Sequence, residues 1–312
     1  MAIVPFHIVD AFADSPFSGN PAAIIPNAAS LTEVEMLQIT NELSMEAGFV
    51  LPPSTSGADL RLRFFTQRRE AILSGHVAVA AMVSMVDRGF YRTTSQGVTI
   101  QLETGAGILP VVLKSGPAGA ARIILRLPKP RFGEPVPAAE VGAALGLSPD
   151  ILRFGDYGPQ RVSCGFDQII VPVTDRVAMR GTFRDMAATM KLLDLRGVGG
   201  VTLICPETFS HGADFHCRFF HPSVGLDEDV ASGTSLGAAA AYIATSGSSP
   251  MEDEDRVSIT TEQGHSLGRP NQAELVVKMQ GGVVESVELD TMGVVVMRGS
   301  FHFNRKSMLA DG

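Results

Sequence analysis

The sequence predicts an α+β protein with two similar domains, each a curled, mostly antiparallel β-sheet around one apolar helix. Short segments of strand-like composition, bounded by Gly or Pro, outnumber the helical segments. Residues 77–83 and 236–244 have a helical pattern and are apolar on every side. A helix without a polar face has to be enclosed, and a sheet curled around it is the most economical enclosure.

The segments that lead into the two apolar helices repeat each other. The RFF of residues 63–65 recurs at 218–220, and the Ser-Gly of residues 74–75 recurs at 232–233. The offsets are 155 and 158 residues, close to half of the 312-residue chain. We therefore predict a two-fold internal repeat, with the functional site where the two copies meet.

Breaks in the pattern predict the domain limits. The LPKP of residues 127–130 interrupts the chain near its middle, so we expect an N-terminal domain of residues 1–128 and a C-terminal domain of residues 129–292. The strand near 293–303 can also belong to the first domain, and residues 304–312 are predicted to be a tail.

Within these domains each element has a local signal. Ser30 and Glu33 fit a capping box that opens a helix ending near Leu43. Further helices are expected at 138–145 and near 183–193. Alternating or continuous apolar runs predict the strands, at 3–12, 22–25, 45–51, 60–65, 98–103, 107–114, 121–127, 168–172, 201–205, 215–220, 256–261, 274–279, 283–290 and 293–298.

Composition excludes several classes of function. The formal charge is −8 and there is no basic stripe, which argues against nucleic acid as a partner. Three cysteines, Cys164, Cys205 and Cys217, form no CxxC motif, as is typical of a reducing compartment. We see no signal-peptide pattern and no apolar run of the roughly 18–20 residues that span a bilayer. We therefore expect a cytoplasmic protein without a membrane partner.

The beginnings of the two apolar helices are the best candidate site. A helix N-terminus leaves backbone N–H groups unpaired and attracts carboxylates. Gly75 and Gly233 allow close approach there, beside Ser74 and Ser232, so the two ends would suit a small anionic substrate. His76 lies at the first end, where the helix dipole favours a neutral ring that can exchange a proton. The alternatives are ordinary helix entry through Ser-Gly and a capping or core histidine.

Two acidic side chains are further candidates. Asp229 lies just before the second helix and could bind a substrate amine or hydroxyl; it could equally be a solvated acidic residue that complements the helix dipole. Glu46 follows the first amphipathic helix among small and apolar neighbours, in SMEAGF. If it points into a cleft, its carboxylate suits proton transfer. Otherwise it is a strand glutamate that faces water.

We predict neither a metal site nor a cofactor. His211, His216 and His221 are spaced by five residues, so on a strand they alternate sides and would not converge. No GxGxxG, P-loop or HExxH motif is present to indicate a nucleotide site or a zinc-dependent hydrolase site.

The same segments show a family resemblance over about residues 6–299. The sequence resembles the PhzF-like isomerases of phenazine biosynthesis, within the diaminopimelate-epimerase-like fold. The motifs that carry the resemblance are VDAFADSPFSGNPAAII, NELSMEAGFV, FT…E..LSGH, RFFHPSVGLDEDVASGTS and QG…GRP, in that order along the chain.

The resemblance implies two barrel-like domains around central helices, an active site in the cleft between them, and a homodimer. It implies that Glu46 carries the proton, that His76 and Asp229 match the family's other site residues, and that Thr234 takes the place of a family serine. In the family prototype the glutamate moves a proton between carbons of dihydro-hydroxyanthranilate without a cofactor.

Departures from the family motifs affect the substrate more than the proton chemistry. Gln67, Ser74 and Val230 replace the proline, cysteine and proline that are usual in the family. Related racemases on this fold use two cysteines, one before each central helix, where this chain has Ser74 and Ser232. Because a serine hydroxyl lacks the accessible pKa of a thiol, a two-thiol racemase is disfavoured.

Three hypotheses follow. The first is a cofactor-independent isomerase of a small carboxylate with Glu46 as acid and base. The second is an amino-acid epimerase or racemase with a non-thiol base. The third is a non-catalytic small-molecule binding protein with the same fold.

Overall fold

The structure, a computed structural model, describes residues 2–180, 185–222, 226–247 and 255–304. The chain forms two compact units, residues 1–125 with 291–312 and residues 126–290. Of the predicted tail, 304–312, all but Asn304 lies outside the described residues. Among the described residues, no helix combines the length and apolar composition that crossing a bilayer requires.

The first unit has two α-helices within its described residues, and most of its other elements are β-strands. Its elements, in chain order, are β1 (Ala2–Ala11), β2 (Asn20–Ile25), α1 (Glu33–Leu43), β3 (Ala47–Leu51), β4 (Leu60–Phe65), β5 (Glu70–Ala71), α2 (Gly75–Asp87), β6 (Val98–Thr104), β7 (Gly107–Ser115) and β8 (Ala121–Arg126). The second unit follows, with β9 (Arg131–Pro135), α3 (Ala138–Leu145), β10 (Gln160–Ser163), β11 (Asp167–Pro172), α4 (Arg176–Arg180), α5 (Met186–Arg196), β12 (Gly200–Cys205), β13 (Phe215–His221), β14 (Leu226–Asp229), α6 (Gly233–Ser246), β15 (Arg256–Gln263), β16 (Asn271–Gln280) and β17 (Val283–Thr291). The last strand, β18 (Gly293–Phe303), returns to the first unit.

The two units have the same strand order, which confirms the predicted α+β class with two similar domains. The first runs β18-β1-β2-β3-β4-β6-β7-β8, and the second runs β9-β10-β11-β12-β13-β15-β16-β17. Most neighbours are antiparallel, as predicted. Two pairs in each unit are parallel: β2 with β3 and β4 with β6, and likewise β11 with β12 and β13 with β15.

The helices α2 and α6 are enclosed, as their apolar composition predicts. Residues 77–85 of α2 and 235–244 of α6 are buried without interruption. Helix α2 packs on β1, β2, β3 and β18, and α6 packs on β10, β11, β12, β15 and β16. A second apolar cluster lies beside α1 in the first unit, and another lies beside α3 and α5 in the second. Strands such as β12 are therefore buried along their whole length.

The capping box of α1 differs from the predicted one. Thr32, not Ser30, is the N-cap: its hydroxyl accepts from the Glu35 backbone N–H at 3.2 Å, and the Glu35 carboxylate accepts from the Thr32 backbone N–H at 2.8 Å. Glu33 instead accepts from Arg63 Nη2 at 2.8 Å. The sequence SLTEVE fits the capping-box pattern in two registers, one starting at Ser30 and one at Thr32. Because the Glu33 carboxylate binds Arg63, the box forms in the register that starts at Thr32.

The repeat extends to a pair of buried glutamates that sequence reasoning missed. In the first unit Glu103 accepts from the backbone N–H groups of Ser54 and Thr55 at 2.7 and 2.9 Å. In the second unit Glu262 accepts from the backbone N–H groups of Phe209 and Ser210 at 2.7 and 3.0 Å. Parallel pairing sets Arg61 opposite Glu103 and His216 opposite Glu262. Each glutamate thus binds the loop that precedes the equivalent strand of its unit, which is β4 in the first unit and β13 in the second.

Candidate active site

Glu46 lies at the entry to β3, between the end of α1 and the first strand residue, Ala47. Ser44 ends α1 with a left-handed backbone, φ 52°. The Glu46 carbonyl accepts from the Ala23 backbone N–H at 3.0 Å, which fastens the residue to β2. The strand therefore begins two residues later than predicted, and Glu46 precedes it. Its side chain is 34% exposed, so water and a small substrate can reach the carboxylate.

The side chains of Ser74 and His76 meet this carboxylate. Ser74 Oγ donates to Glu46 Oε2 at 2.8 Å and lies 3.3 Å from His76 Nδ1. Because the single hydroxyl proton points to the carboxylate, the hydroxyl accepts from Nδ1–H of the imidazole. His76 Nε2 lies 3.7 Å from the same Oε2, and the imidazole is largely buried at 13% exposure. The three side chains form a closed triangle around one carboxylate oxygen.

The beginning of α2 is open beside this triangle. Ser74 is the N-cap and has an extended backbone, but its hydroxyl makes no capping hydrogen bond to the helix. The next residue, Gly75, has no neighbouring atom within 4 Å of the place a Cβ would take. The first backbone N–H groups of the helix therefore remain available to an anion.

The beginning of α6 uses the equivalent serine differently. The Ser232 hydroxyl accepts from the Ser235 backbone N–H at 3.4 Å and lies 3.2 Å from the Thr234 hydroxyl. Gly233 is buried. The alternative interpretation of both Ser-Gly pairs is an ordinary helix start. Ser232 fits that interpretation because its hydroxyl caps the helix, and Ser74 does not fit it.

Asp229 ends β14, opposite Phe219 of β13. Its carbonyl accepts from the Gln263 side-chain amide at 2.7 Å, and the Val230 carbonyl accepts from the Asn271 side-chain amide at 2.8 Å. Both amide side chains are buried. These two hydrogen bonds hold the segment that runs from Asp229 to the start of α6. The sequence analysis did not assign a role to either amide side chain. Their signal was the polar QG…GRPN stretch at a strand end.

The predicted residues thus form two groups, each described within its own unit. Glu46, Ser74, Gly75 and His76 come together in the first unit. Asp229, Ser232, Gly233 and Thr234 are close along the chain in the second.

The second unit has no counterpart of Glu46. Ala47 pairs with Phe65, and Val201 pairs with Phe220, which is the repeat equivalent of Phe65. The residue before Val201 is Gly200. A Cβ on Gly200 would lie 2.7 Å from the Phe219 ring and 2.8 Å from the Phe220 carbonyl. Packing therefore leaves no space for a side chain at the position equivalent to Glu46.

Comparisons with known proteins match almost the whole chain. The profile of the phenazine biosynthesis-like protein family, PhzC-PhzF, matches residues 9–299. An uncharacterised isomerase of Deinococcus radiodurans is 30% identical over 297 residues, which cover 93% of this chain and 92% of that protein. The trans-2,3-dihydro-3-hydroxyanthranilate isomerase of Pseudomonas aeruginosa is 26% identical over 295 residues, covering 94% and 97% of the two chains.

The fold agrees as well. The crystal structure of a PhzF-family phenazine biosynthesis protein from Bacillus anthracis superposes with a TM-score of 0.85 at 26% identity, covering 97% of this chain and 100% of that one. The resemblance to the PhzF-like family is therefore confirmed. Relatives that match nearly the whole chain are named isomerases, which supports an isomerase class for this chain. Because the family profile matches residues 9–299 of the 312, the chain belongs to the phenazine biosynthesis-like PhzC-PhzF family.

Proposed function

We propose that this protein is a cofactor-independent isomerase that moves a proton between two carbons of a small, unsaturated carboxylate, with Glu46 as the proton carrier. The observation that carries the proposal is the triangle of Glu46, Ser74 and His76 beside the open start of α2. It combines a proton acceptor, a group that orients it and a site for an anion within a few ångströms.

In the proposed reaction the Glu46 carboxylate removes a proton from one carbon of the substrate and becomes a carboxylic acid. The electron pair of the broken C–H bond delocalises through the adjacent double bond toward the substrate's electron-withdrawing groups. The carboxylic acid then returns the proton to a different carbon, and the double bond has moved. No electrons are gained or lost overall, so the reaction requires no redox cofactor.

Ser74 suits both halves of this cycle. Its hydroxyl donates to the ionised carboxylate and can rotate to accept from the protonated one, so the orientation of Glu46 is retained in both states. His76, in contact with both groups, keeps the triangle closed and can hydrogen-bond the substrate.

The N–H groups at the start of α2, with Gly75, are proposed to bind negative charge on the substrate. In the second unit, Gly233 and Thr234 at the start of α6 are proposed to bind the substrate likewise. Asp229 is proposed to accept from an amine or hydroxyl. Ser232 has its hydroxyl on the helix cap, so its proposed contribution is to shape that helix start.

The substrate class follows from this set of donors and acceptors. The Pseudomonas aeruginosa relative is named for trans-2,3-dihydro-3-hydroxyanthranilate, which carries a carboxylate, an amine, a hydroxyl and a conjugated ring. We propose a compound of that class for this chain. Ser74, where the family usually has cysteine, supports a substrate that differs from the prototype in detail.

A non-thiol epimerase is the second candidate. Inversion at one carbon usually needs a base on one face and an acid on the other. Ser74 and Ser232 stand where related racemases have their two cysteines, which favours a single proton carrier that serves two carbons. A non-catalytic binding protein remains the third hypothesis, and it predicts binding without proton exchange.

The decisive experiment is incubation with trans-2,3-dihydro-3-hydroxyanthranilate, and separately with an α-amino acid, in D2O, followed by NMR. Glu46→Gln tests the proton carrier, and Glu42→Gln is the matched control because Glu42 is an exposed glutamate on α1. A shifted double bond with deuterium on carbon, lost in Glu46→Gln only, supports the isomerase. Inversion at one carbon selects the epimerase. Turnover that survives Glu46→Gln would refute the assignment of Glu46.

Three expectations about context stay proposals: a homodimer, a cytoplasmic location and the absence of nucleic acid as a partner. Light scattering of the purified protein measures the first directly. A molar mass of one chain across the micromolar range would refute it.

A further inference from the structure

We propose that the second unit binds one divalent metal ion of the zinc class, through His216 Nδ1, a Glu262 carboxylate oxygen and His265 Nε2. This site uses none of the residues assigned to proton transfer. The sequence analysis weighed His216 with His211 and His221 and predicted no metal site. The structure instead brings His216 of β13 close to Glu262 of the paired strand β15 and to His265, which follows that strand.

The spacing of the three donors approaches that of the ligands of a tetrahedral ion. Metal–ligand distances of about 2.0–2.2 Å with tetrahedral angles place neighbouring ligand atoms about 3.3–3.5 Å apart. His216 Nδ1 lies 3.1 Å from Glu262 Oε1, and His265 Nε2 lies 3.8 Å from Glu262 Oε2. All three donor atoms lie within 4.8 Å of one another. The two distances to Glu262 lie within about 0.5 Å of that spacing. The two imidazole nitrogens, up to 4.8 Å apart, would have to come closer by up to about 1.4 Å around an ion.

The donors are held in place by their surroundings. The Glu262 side chain is fully buried and is oriented by the N–H groups of Phe209 and Ser210. The Phe209 ring stacks on the His265 ring at 4.5 Å and 11°, and meets the His216 ring edge-on at 5.2 Å. Such outer contacts restrict the orientation of metal ligands and strengthen a site.

Comparison of the two units shows that the two histidines are not needed for the hydrogen bonds by which the buried glutamate holds its loop. In the first unit Glu103 fastens its loop with the same two backbone bonds, and Arg61 Nε lies 3.7 Å from Glu103 Oε1. The second unit has His216 at the place of Arg61. By the same offset as the two glutamates, His265 stands at the place of Ala106. Binding the loop therefore needs no imidazole, and the second unit adds two imidazole side chains where the first has the Arg61 guanidinium.

A cavity of about 370 Å³ gives access to the cluster. Both histidines line it, together with Arg176, Arg180 and Arg218 among others. Arg218 is neutralised by Glu228, which accepts from its Nε and Nη2 at 2.9 and 2.7 Å. Arg176 lies on Phe209, 3.8 Å from the ring centroid. The three protein donors leave the fourth coordination position for water or a small anion from this cavity.

The test uses the full-length protein after dialysis against a chelator. Calorimetric titration with ZnCl2 should show one Zn²⁺ per chain, and CoCl2 should give the visible absorption of tetrahedral Co²⁺. His265→Ala should weaken Zn²⁺ binding by at least about 100-fold, beyond the roughly 10–100-fold cost of losing an outer-shell partner. His302→Ala, which removes an exposed histidine of the first unit, should leave binding unchanged. Circular dichroism checks that the variants fold.

His265→Gln, which retains a polar side chain, gives a second measurement if His265→Ala fails to fold. Absence of stoichiometric Zn²⁺ uptake by the wild type would overturn the proposal. It would also be overturned by uptake that His265→Ala or His265→Gln leaves unchanged, or by uptake that His302→Ala abolishes. A loss in either His265 variant with His302→Ala unaffected supports it.

Discussion

Replacing the two equivalent serines by alanine should have different consequences in the two copies. Ser74 and Ser232 both precede the first residue of an enclosed helix, and both have an extended backbone. Only the Ser232 hydroxyl accepts a hydrogen bond from its helix. The Ser74 hydroxyl is bonded to Glu46. We therefore expect Ser232→Ala to lower stability and Ser74→Ala to lower catalysis.

The structure sets the size of each effect. Loss of an N-cap side chain costs about 0.5–2 kcal/mol, and the long 3.4 Å distance at Ser232 places this cap near 0.5 kcal/mol. The Glu46 side chain is 34% exposed, so water can replace the Ser74 hydroxyl, and we expect the free energy of unfolding to change by less than about 0.5 kcal/mol. Losing the orientation of Glu46 should cost about 1–2 kcal/mol in the transition state, or about 5–30-fold in kcat/KM.

The assay combines urea unfolding of each variant with deuterium incorporation in D2O. Ser95→Ala, which changes an exposed serine away from either helix start, is the control for both measurements. Rescue of exchange by Ser74→Thr, which retains a hydroxyl, would support the orienting role. The reasoning is refuted if Ser74→Ala exchanges at the wild-type rate and loses as much stability as Ser232→Ala.

Three further predictions concern the framework. Hydrogen bonds from the Ser54 hydroxyl and from backbone N–H groups lower the pKa of Glu103 to about 2, so its stabilisation is complete above about pH 4.5 and is lost as the pH falls toward 2. The gap in urea midpoint between wild type and Glu103→Gln should therefore narrow from pH 5 to pH 2; a constant gap contradicts this. Gly48→Ala should lower the free energy of unfolding, measured in urea, by about 1–3 kcal/mol, because its Cβ would lie 2.7 Å from Val77 Cγ1. A loss below about 0.5 kcal/mol would contradict this and show that helix α2 can shift to make room for the methyl group. Burial raises the pKa of Cys205 to about 11, so iodoacetamide should label it in urea but not in the native protein at pH 8, as mass spectrometry will show.

Burial governs what the sequence could predict about the fold. The enclosed helices α2 and α6 were recognisable because enclosure on every side demands an apolar residue at every position. The strands β4 and β13 were recognisable from their repeated RFF, and in the structure both arginines bind a glutamate of the following short strand. The parallel pairs were not predicted, because a parallel pair has no turn motif to indicate it.

The same limit applies to the candidate site. Glu46 could be singled out from its small, apolar neighbours and the family resemblance. Its hydrogen bond with Ser74 spans 28 residues and arises from the packing of α2 against β3. The cluster of His216, Glu262 and His265 escaped prediction for a similar reason. His216 and Glu262 are 46 residues apart and meet only because β13 pairs with β15. Spacing along one strand could not reveal that contact.

Duplication followed by loss of symmetry favours a chemistry with a single proton carrier. The second unit repeats the strand order, the enclosed helix and the buried glutamate, so the two copies had the same scaffold available for a base. At the place of Glu46 the second copy has Gly200, and the Phe219 ring occupies the space of a side chain there. Beside it, Thr202, Gln168 and Ser235 share a buried hydrogen-bond network, so the start of α6 is stabilised by polar packing. A reaction that inverted one carbon between two bases would need a base at both helix starts, where this chain has Ser74 and Ser232 instead of the two cysteines of related racemases. A reaction that returns one proton to a second carbon needs a single base and a substrate held in one orientation. The loss of symmetry between Glu46 and Gly200 is the arrangement expected for that reaction.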